Sequence, residues 1–147
     1  MEKKALGCKE AGGYGVNVES RVRSISFTVP GRVPSKANFR WSNTDKARRE
    51  WRRILAYQQE VGLSALAAGV KRARRANGRG KARVKVLLVN QVCDLDNALK
   101  APIDGLKKVA FEDDSGKYLD AVQVCWAEDD GPVRAEYRIE WEGSPNG

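Results

Sequence analysis

Ala82-Arg83-Val84-Lys85-Val86-Leu87-Leu88-Val89 leads, four residues on, into Asp94-Leu95-Asp96-Asn97-Ala98-Leu99-Lys100, with Asp104 a turn further along. The first eight residues put Val84, Val86 and Leu88 on one face, the period of a strand. Beyond Asp94 the period changes. Leu95, Ala98, Leu99, Ile103, Leu106 and Val109 recur at helical spacing, marking a buried side, while Asp96, Lys100, Asp104 and Lys108 form an exposed charged stripe every four residues. Pro102 cannot donate to the carbonyl of Ala98, so the spacing predicts a kink or a late start to the regular helix. A strand-to-helix junction thus carries three carboxylates and a lysine within eleven residues.

Upstream, Arg23 to Pro30 alternates Ile25, Phe27 and Val29 on one side, a first strand. Gly31 to Lys36 breaks it and opens a basic loop through Arg40. Ser42-Asn43-Thr44-Asp45 supplies helix-capping side chains. From Lys46 to about Ala68, residues Ala47, Trp51, Ile54, Leu55, Val61 and Ala65 recur near helical spacing, and Arg48, Arg49, Arg52 and Arg53 crowd the neighbouring faces. A basic, glycine-containing loop, Lys71 to Lys81, precedes the second strand. Downstream, Asp113-Asp114-Ser115-Gly116 reads as a turn, and Ala121–Ala127 and Val133–Trp141 read as a final hairpin around Asp129-Asp130-Gly131-Pro132. The expected fold is α+β, in the order β-α-β-α-β-β, with two main helices on one side of a mixed sheet. The expected organisation is an N-terminal tail over 1–22, one domain over 23–142 and a C-terminal tail over 143–147.

Composition narrows the chemistry. The chain has 147 residues, about one domain. It has no histidine, which removes Ser-His-Asp and Cys-His catalysis and histidine-ligated zinc. Cys8, Cys93 and Cys125 match neither a paired disulfide framework nor a CxxC metal site and read as reduced thiols. No apolar run approaches the roughly 20 residues that cross a bilayer, and Met1 to Gly7 has no secretory core, so the expected setting is cytoplasmic. The net charge of +8 is unevenly spread. Residues 1–85 hold 21 Lys/Arg against 6 Asp/Glu, and residues 86–147 hold 6 against 13. That asymmetry suits a basic surface for phosphates beside an acidic centre for cations.

In an extended segment residues two apart point the same way, which would aim the Asp94 and Asp96 carboxylates at one point. Their mutual repulsion is offset by a cation, and Mg²⁺ takes hard oxygen ligands while leaving positions for water and phosphate. Asp113 or Asp114 could add a ligand from the later turn. Lys100 could reach a scissile phosphate and stabilise the charge that builds on it. A different reading has the aspartates merely capping a helix in a non-catalytic basic module that binds nucleic acid. A DxD phosphotransferase or dehalogenase-like phosphatase fits less well, because Asn97-Ala98 stands where such proteins carry Thr or Val and the chain is short and basic.

Asp94-Leu95-Asp96-Asn97-Ala98-Leu99-Lys100, Asp104-Gly105-Leu106, Glu112-Asp113-Asp114-Ser115 and Gln123-Val124 together resemble the RusA family of Holliday-junction resolvases. Thr28 to Lys36 is similar to that family's first strand and basic loop. The resemblance spans roughly Ser24 to Trp141 in element order, with the specific motif confined to 94–124. It implies a homodimeric, Mg²⁺-dependent endonuclease, with Mn²⁺ as a substitute, that cuts two opposed strands of a four-way DNA junction in recombination and repair. Carried over by position, Asp94, Asp96 and Asp114 would be metal ligands and catalytic, with Lys100 the catalytic lysine. Asn97, Asp104 and Asp113 would be supporting. One departure from the family pattern is the insertion of Gly116 to Val122 before Gln123. Alignment on Ser115 makes Asp114 the third ligand, and alignment on Gln123 makes it Asp120. Expected DNA contacts are Arg32, Lys36, Arg40, Arg48, Arg49, Arg52, Arg72, Arg74 and Arg75.

Overall fold

Tyr57 and Tyr137, eighty positions apart, share a hydrogen bond between their hydroxyls inside the core, and the fold is the route by which the chain brings them together. The computed structural model describes residues 21–70, 81–112, 116 and 118–143. The elements run β1 (Arg21–Pro30), α1 (Asp45–Ala67), β2 (Ala82–Val89), α2 (Lys100–Leu106), β3 (Leu119–Trp126) and β4 (Arg134–Gly143). This is the expected α+β order.

The sheet order is β1-β4-β2-β3. β4 is antiparallel to both β1 and β2, with Phe27 opposite Tyr137 on one side and Val86 opposite it on the other. β3 runs parallel to β2, Val86 beside Val124. The expected final hairpin is therefore corrected: β3 and β4 follow each other in sequence but are separated by β2. Two strand spacings are about 10 Å, which the link from Ala127 to Val133 spans easily. The physical reason lies in the two patterns. β4 alternates Ala135, Tyr137 and Ile139, all buried, against Glu136 and Arg138, and takes a central position with neighbours on both edges. β3 has a weaker alternation and ends on a half-exposed Trp126, as an edge strand tolerates.

The crossovers β1-α1-β2 and β2-α2-β3 both step in the same direction across the sheet. The right-handed rule then puts both helices on the same face. The core agrees: Tyr57, Val61 and Ala65 of α1 and Ala101, Ile103 and Leu106 of α2 cluster with Val29, Val84, Val86, Leu88, Tyr137 and Ile139 of the sheet. Phe27 stacks on Tyr137 at 5.0 Å between ring centroids.

α1 is closed at both ends by its own sequence. The Thr44 hydroxyl accepts from the Ala47 N–H at the start. At the end Gly69, with φ of +96°, lets Val70 N–H reach Ala65 O and Gly69 N–H reach Leu66 O, a Schellman closure that buries Val70. Leu55, expected inside, is exposed, and Tyr57 takes the buried position. α2 begins at Lys100, so Pro102 sits in the first turn, where a missing N–H breaks no helical bond. The late start is borne out and Leu99, before it, lies partly exposed. Cys125 is disulfide-bonded, correcting the reading of reduced thiols, and Cys93 is free. Among the described residues no helix is long and apolar enough to cross a membrane.

Candidate active site

β2 ends where Asn90 adopts a φ of +54°, a left-handed conformation that asparagine tolerates. Gln91 follows and is buried. Its Oε1 accepts from Val33 N–H at 2.8 Å, and its Nε2 donates to the carbonyls of Arg134 at 2.9 Å and Gly31 at 3.3 Å. One amide thus ties the loop after β1 to the ends of β2 and β4, three residues before Asp94. A buried amide with three partners holds its neighbours in one place.

Asp94 through Leu99 then coil in successive turns. Asp94 O accepts from the N–H groups of Asn97 at 3.1 Å and Ala98 at 3.2 Å, and Asp96 O from Leu99 N–H at 3.4 Å. Asp96 Oδ1 accepts from Asn97 N–H at 3.0 Å. The segment is not extended, so strand alternation does not align the two carboxylates. Both aspartates are exposed, and neither carboxylate is tied up in an ion pair among the described residues. Exposed carboxylate oxygens two residues apart are a donor set that fits a hard cation. Asp94 also acts on its neighbour. Burial first, and the Asp94 charge second, push the Cys93 thiol above its usual range, so Cys93 stays protonated beside the site.

Asp104 was expected on an exposed stripe, and the structure corrects this: its side chain is only 10% exposed. Three ammonium groups surround it. Lys36 Nζ donates to Oδ2 at 2.6 Å, Lys107 Nζ lies 3.0 Å from Oδ1, and Lys100 Nζ is 3.9 Å from Oδ2. Burial pushes the Asp104 carboxyl up, but the bond from Lys36, the ion pair with Lys107 and the charges of Lys36 and Lys100 outweigh it, and the net shift is downward. Lys36 also donates to Gln58 Oε1 of α1 at 2.6 Å, and its ammonium stands 5.6 Å from the centre of the Trp51 ring.

Lys36 therefore stands among protein acceptors, whereas Arg32, Arg40, Arg49 and Arg52 extend into solvent. Arg48 is partly engaged, pairing with Asp45 at 3.1 Å and bonding Asn43. Around these arginines Phe39, Trp41 and Trp51 pack ring against ring, with Trp41 64% exposed. The structure brings together Lys36, Lys100 and Asp104. Asn97 is half-buried in the turn.

Asp113 and Asp114 lie outside the described residues, as do Arg72, Arg74 and Arg75. Asp120 is described. It stands at the start of β3, in the irregularity between the partners of Ala82 and Arg83, and so at the opposite end of β2 from Asn90. Among the described residues no three acidic or sulfur side chains gather closely enough to hold a metal, so Asp120 does not join Asp94 and Asp96.

The sequence reading missed Gln91, Gln58 and Lys107. Lys107 carried a signal, three residues from Asp104 on the same helical face. The glutamines carried none, because their partners are backbone atoms and a lysine far away in sequence.

No curated protein matches the chain. A family model described as endodeoxyribonuclease RusA matches residues 30–139, from the last residue of β1 into β4 and across every residue of the turn and the Lys36–Asp104 cluster. With most of the chain inside that match, this protein belongs to the RusA endodeoxyribonuclease family.

Proposed function

We propose that this endodeoxyribonuclease resolves four-way DNA junctions by metal-assisted hydrolysis of a phosphodiester in each of two opposed strands. The observation that carries the reading is the pair of exposed carboxylates, Asp94 and Asp96, on a turn that also delivers Lys100 at the first position of α2. Asp94 and Asp96 would hold Mg²⁺ or Mn²⁺, with Asp114 as third ligand; such an ion supplies Lewis-acid polarisation of the phosphate and lowers the pKa of bound water. Lys100, with its side chain about half exposed, offers an ammonium for the charge that builds on the phosphate oxygens.

Binding falls to the basic surface. Arg32, Arg40, Arg49 and Arg52 are exposed on the loop after β1 and on α1. They suit contacts with the sugar-phosphate backbone, which position DNA without reading sequence. A two-fold dimer would set one such site at each of two strands of a near-symmetric junction.

The test is a cleavage assay comparing a mobile four-way junction with linear duplex of the same sequence, with and without Mg²⁺. Paired symmetric nicks confined to the junction, and only with Mg²⁺, are expected. Tight, salt-sensitive junction binding with no nicking in any divalent ion would establish a non-catalytic binding module instead.

A further inference from the structure

The cluster around Asp104 contains more positive charge than a single carboxylate needs, and the three lysines differ in how tightly they are held. Lys36 arrives from the loop after β1, with its side chain 17% exposed, and donates to Asp104 Oδ2 and Gln58 Oε1, both at 2.6 Å. Lys107 takes the other carboxylate oxygen. Lys100, four residues before Asp104 on α2, is 53% exposed and only 3.9 Å from Oδ2, outside hydrogen-bond range. The helix itself puts Lys100 within reach of Asp104, since positions four apart are neighbours on one face. Lys36 is already bonded to the same oxygen, which Lys100 meets only as a long ion pair.

We propose that Lys36 is a positioning residue for Lys100: by occupying Asp104 Oδ2 it keeps that carboxylate from capturing the Lys100 ammonium, which stays available to the scissile phosphate. This rests on the assignment of Lys100 to the phosphate. A shift of about 1 Å would turn the present 3.9 Å separation into a charge-assisted hydrogen bond. A largely buried carboxylate that has lost one of its partners strongly favours that shift. Lys36 is itself held by Gln58 and beside the Trp51 ring, and Val33 of the same loop is fixed by Gln91. Docking of the loop on α1 is thereby coupled to the freedom of the catalytic lysine.

The test measures single-turnover cleavage of a four-way junction at saturating enzyme, with junction affinity measured separately without divalent ion, for Lys100→Ala, Lys36→Met and Lys36→Met/Asp104→Asn. Lys36→Met should slow cleavage by about tenfold, less than complete loss of a preorganised cationic group, while affinity changes by less than about threefold. Adding Asp104→Asn should restore most of the rate, because the amide has no charge with which to capture Lys100. Cleavage by Lys36→Met at the wild-type rate, or no recovery in the double variant, overturns the proposal. So does a loss confined to affinity, which would make Lys36 a DNA contact. Wild-type cleavage by Lys100→Ala would instead refute the assignment of Lys100 itself. Should Lys36→Met fail to fold, the double variant decides alone: near-wild-type cleavage is expected, and a rate as low as that of Lys100→Ala overturns the proposal.

Discussion

Two hydroxyls show how much of this molecule is decided by single atoms. Tyr57 and Tyr137 meet at 2.7 Å in the core, and burial pushes both phenols above their ordinary range. Replacing Tyr137 by Phe leaves the Tyr57 hydroxyl buried without its partner, a cost of about 1–3 kcal/mol. Replacing both should cost less than the sum of the two single changes, because no polar group is then stranded; denaturant unfolding of the three variants measures the difference. Above the ordinary phenol pKa near 10 the unfolded chain loses these protons while the folded one keeps them, so stability falls as pH rises through that range. Tyr57 escaped the sequence reading because its hydroxyl has no partner nearby in the chain. Asp104 was legible as a charged residue of a helix but not as a buried one, since Lys36 lies 68 positions away.

Among the elements, α2 was the most legible and the segment before it the least. Pro102 announced a late start, and the helix does begin at Lys100. Asp94 to Leu99, by contrast, follow a strand and alternate charge like one, yet they coil, because Asp94 and Asp96 accept hydrogen bonds from the N–H groups that follow them. α2 also sits unusually close to α1. A Cβ on Gly105 would lie 2.8 Å from Gln58 O and 2.9 Å from Val61 Cβ, and one on Gly62 would lie 3.2 Å from Gly105 O. Gly105→Ala should therefore destabilise the fold by about 1–3 kcal/mol, as overpacked cores do. It should also lower cleavage, since Gln58 and Asp104 face each other across this contact through Lys36. Unaltered unfolding and cleavage would show that the helices part without consequence.

For the whole molecule, element order was legible from periodicity and the sheet order was not. Nothing local in Arg134–Gly143 says that it pairs with β1 and β2 instead of β3. That choice is made by competition for the centre of the sheet. Charge asymmetry was legible and points to DNA. If Arg49 and Arg52 each contact one phosphate, Arg49→Ala/Arg52→Ala should reduce the slope of log affinity against log salt by roughly two. An unchanged slope would place the DNA on another surface. The central claim, however, concerns cleavage, and the matched pair of assays on Asp96→Asn tests it most directly. That change keeps the shape of the side chain and removes one charge from the proposed ligand pair. Junction binding should survive within about threefold while Mg²⁺-dependent nicking disappears; nicking at the wild-type rate by Asp96→Asn would contradict the account.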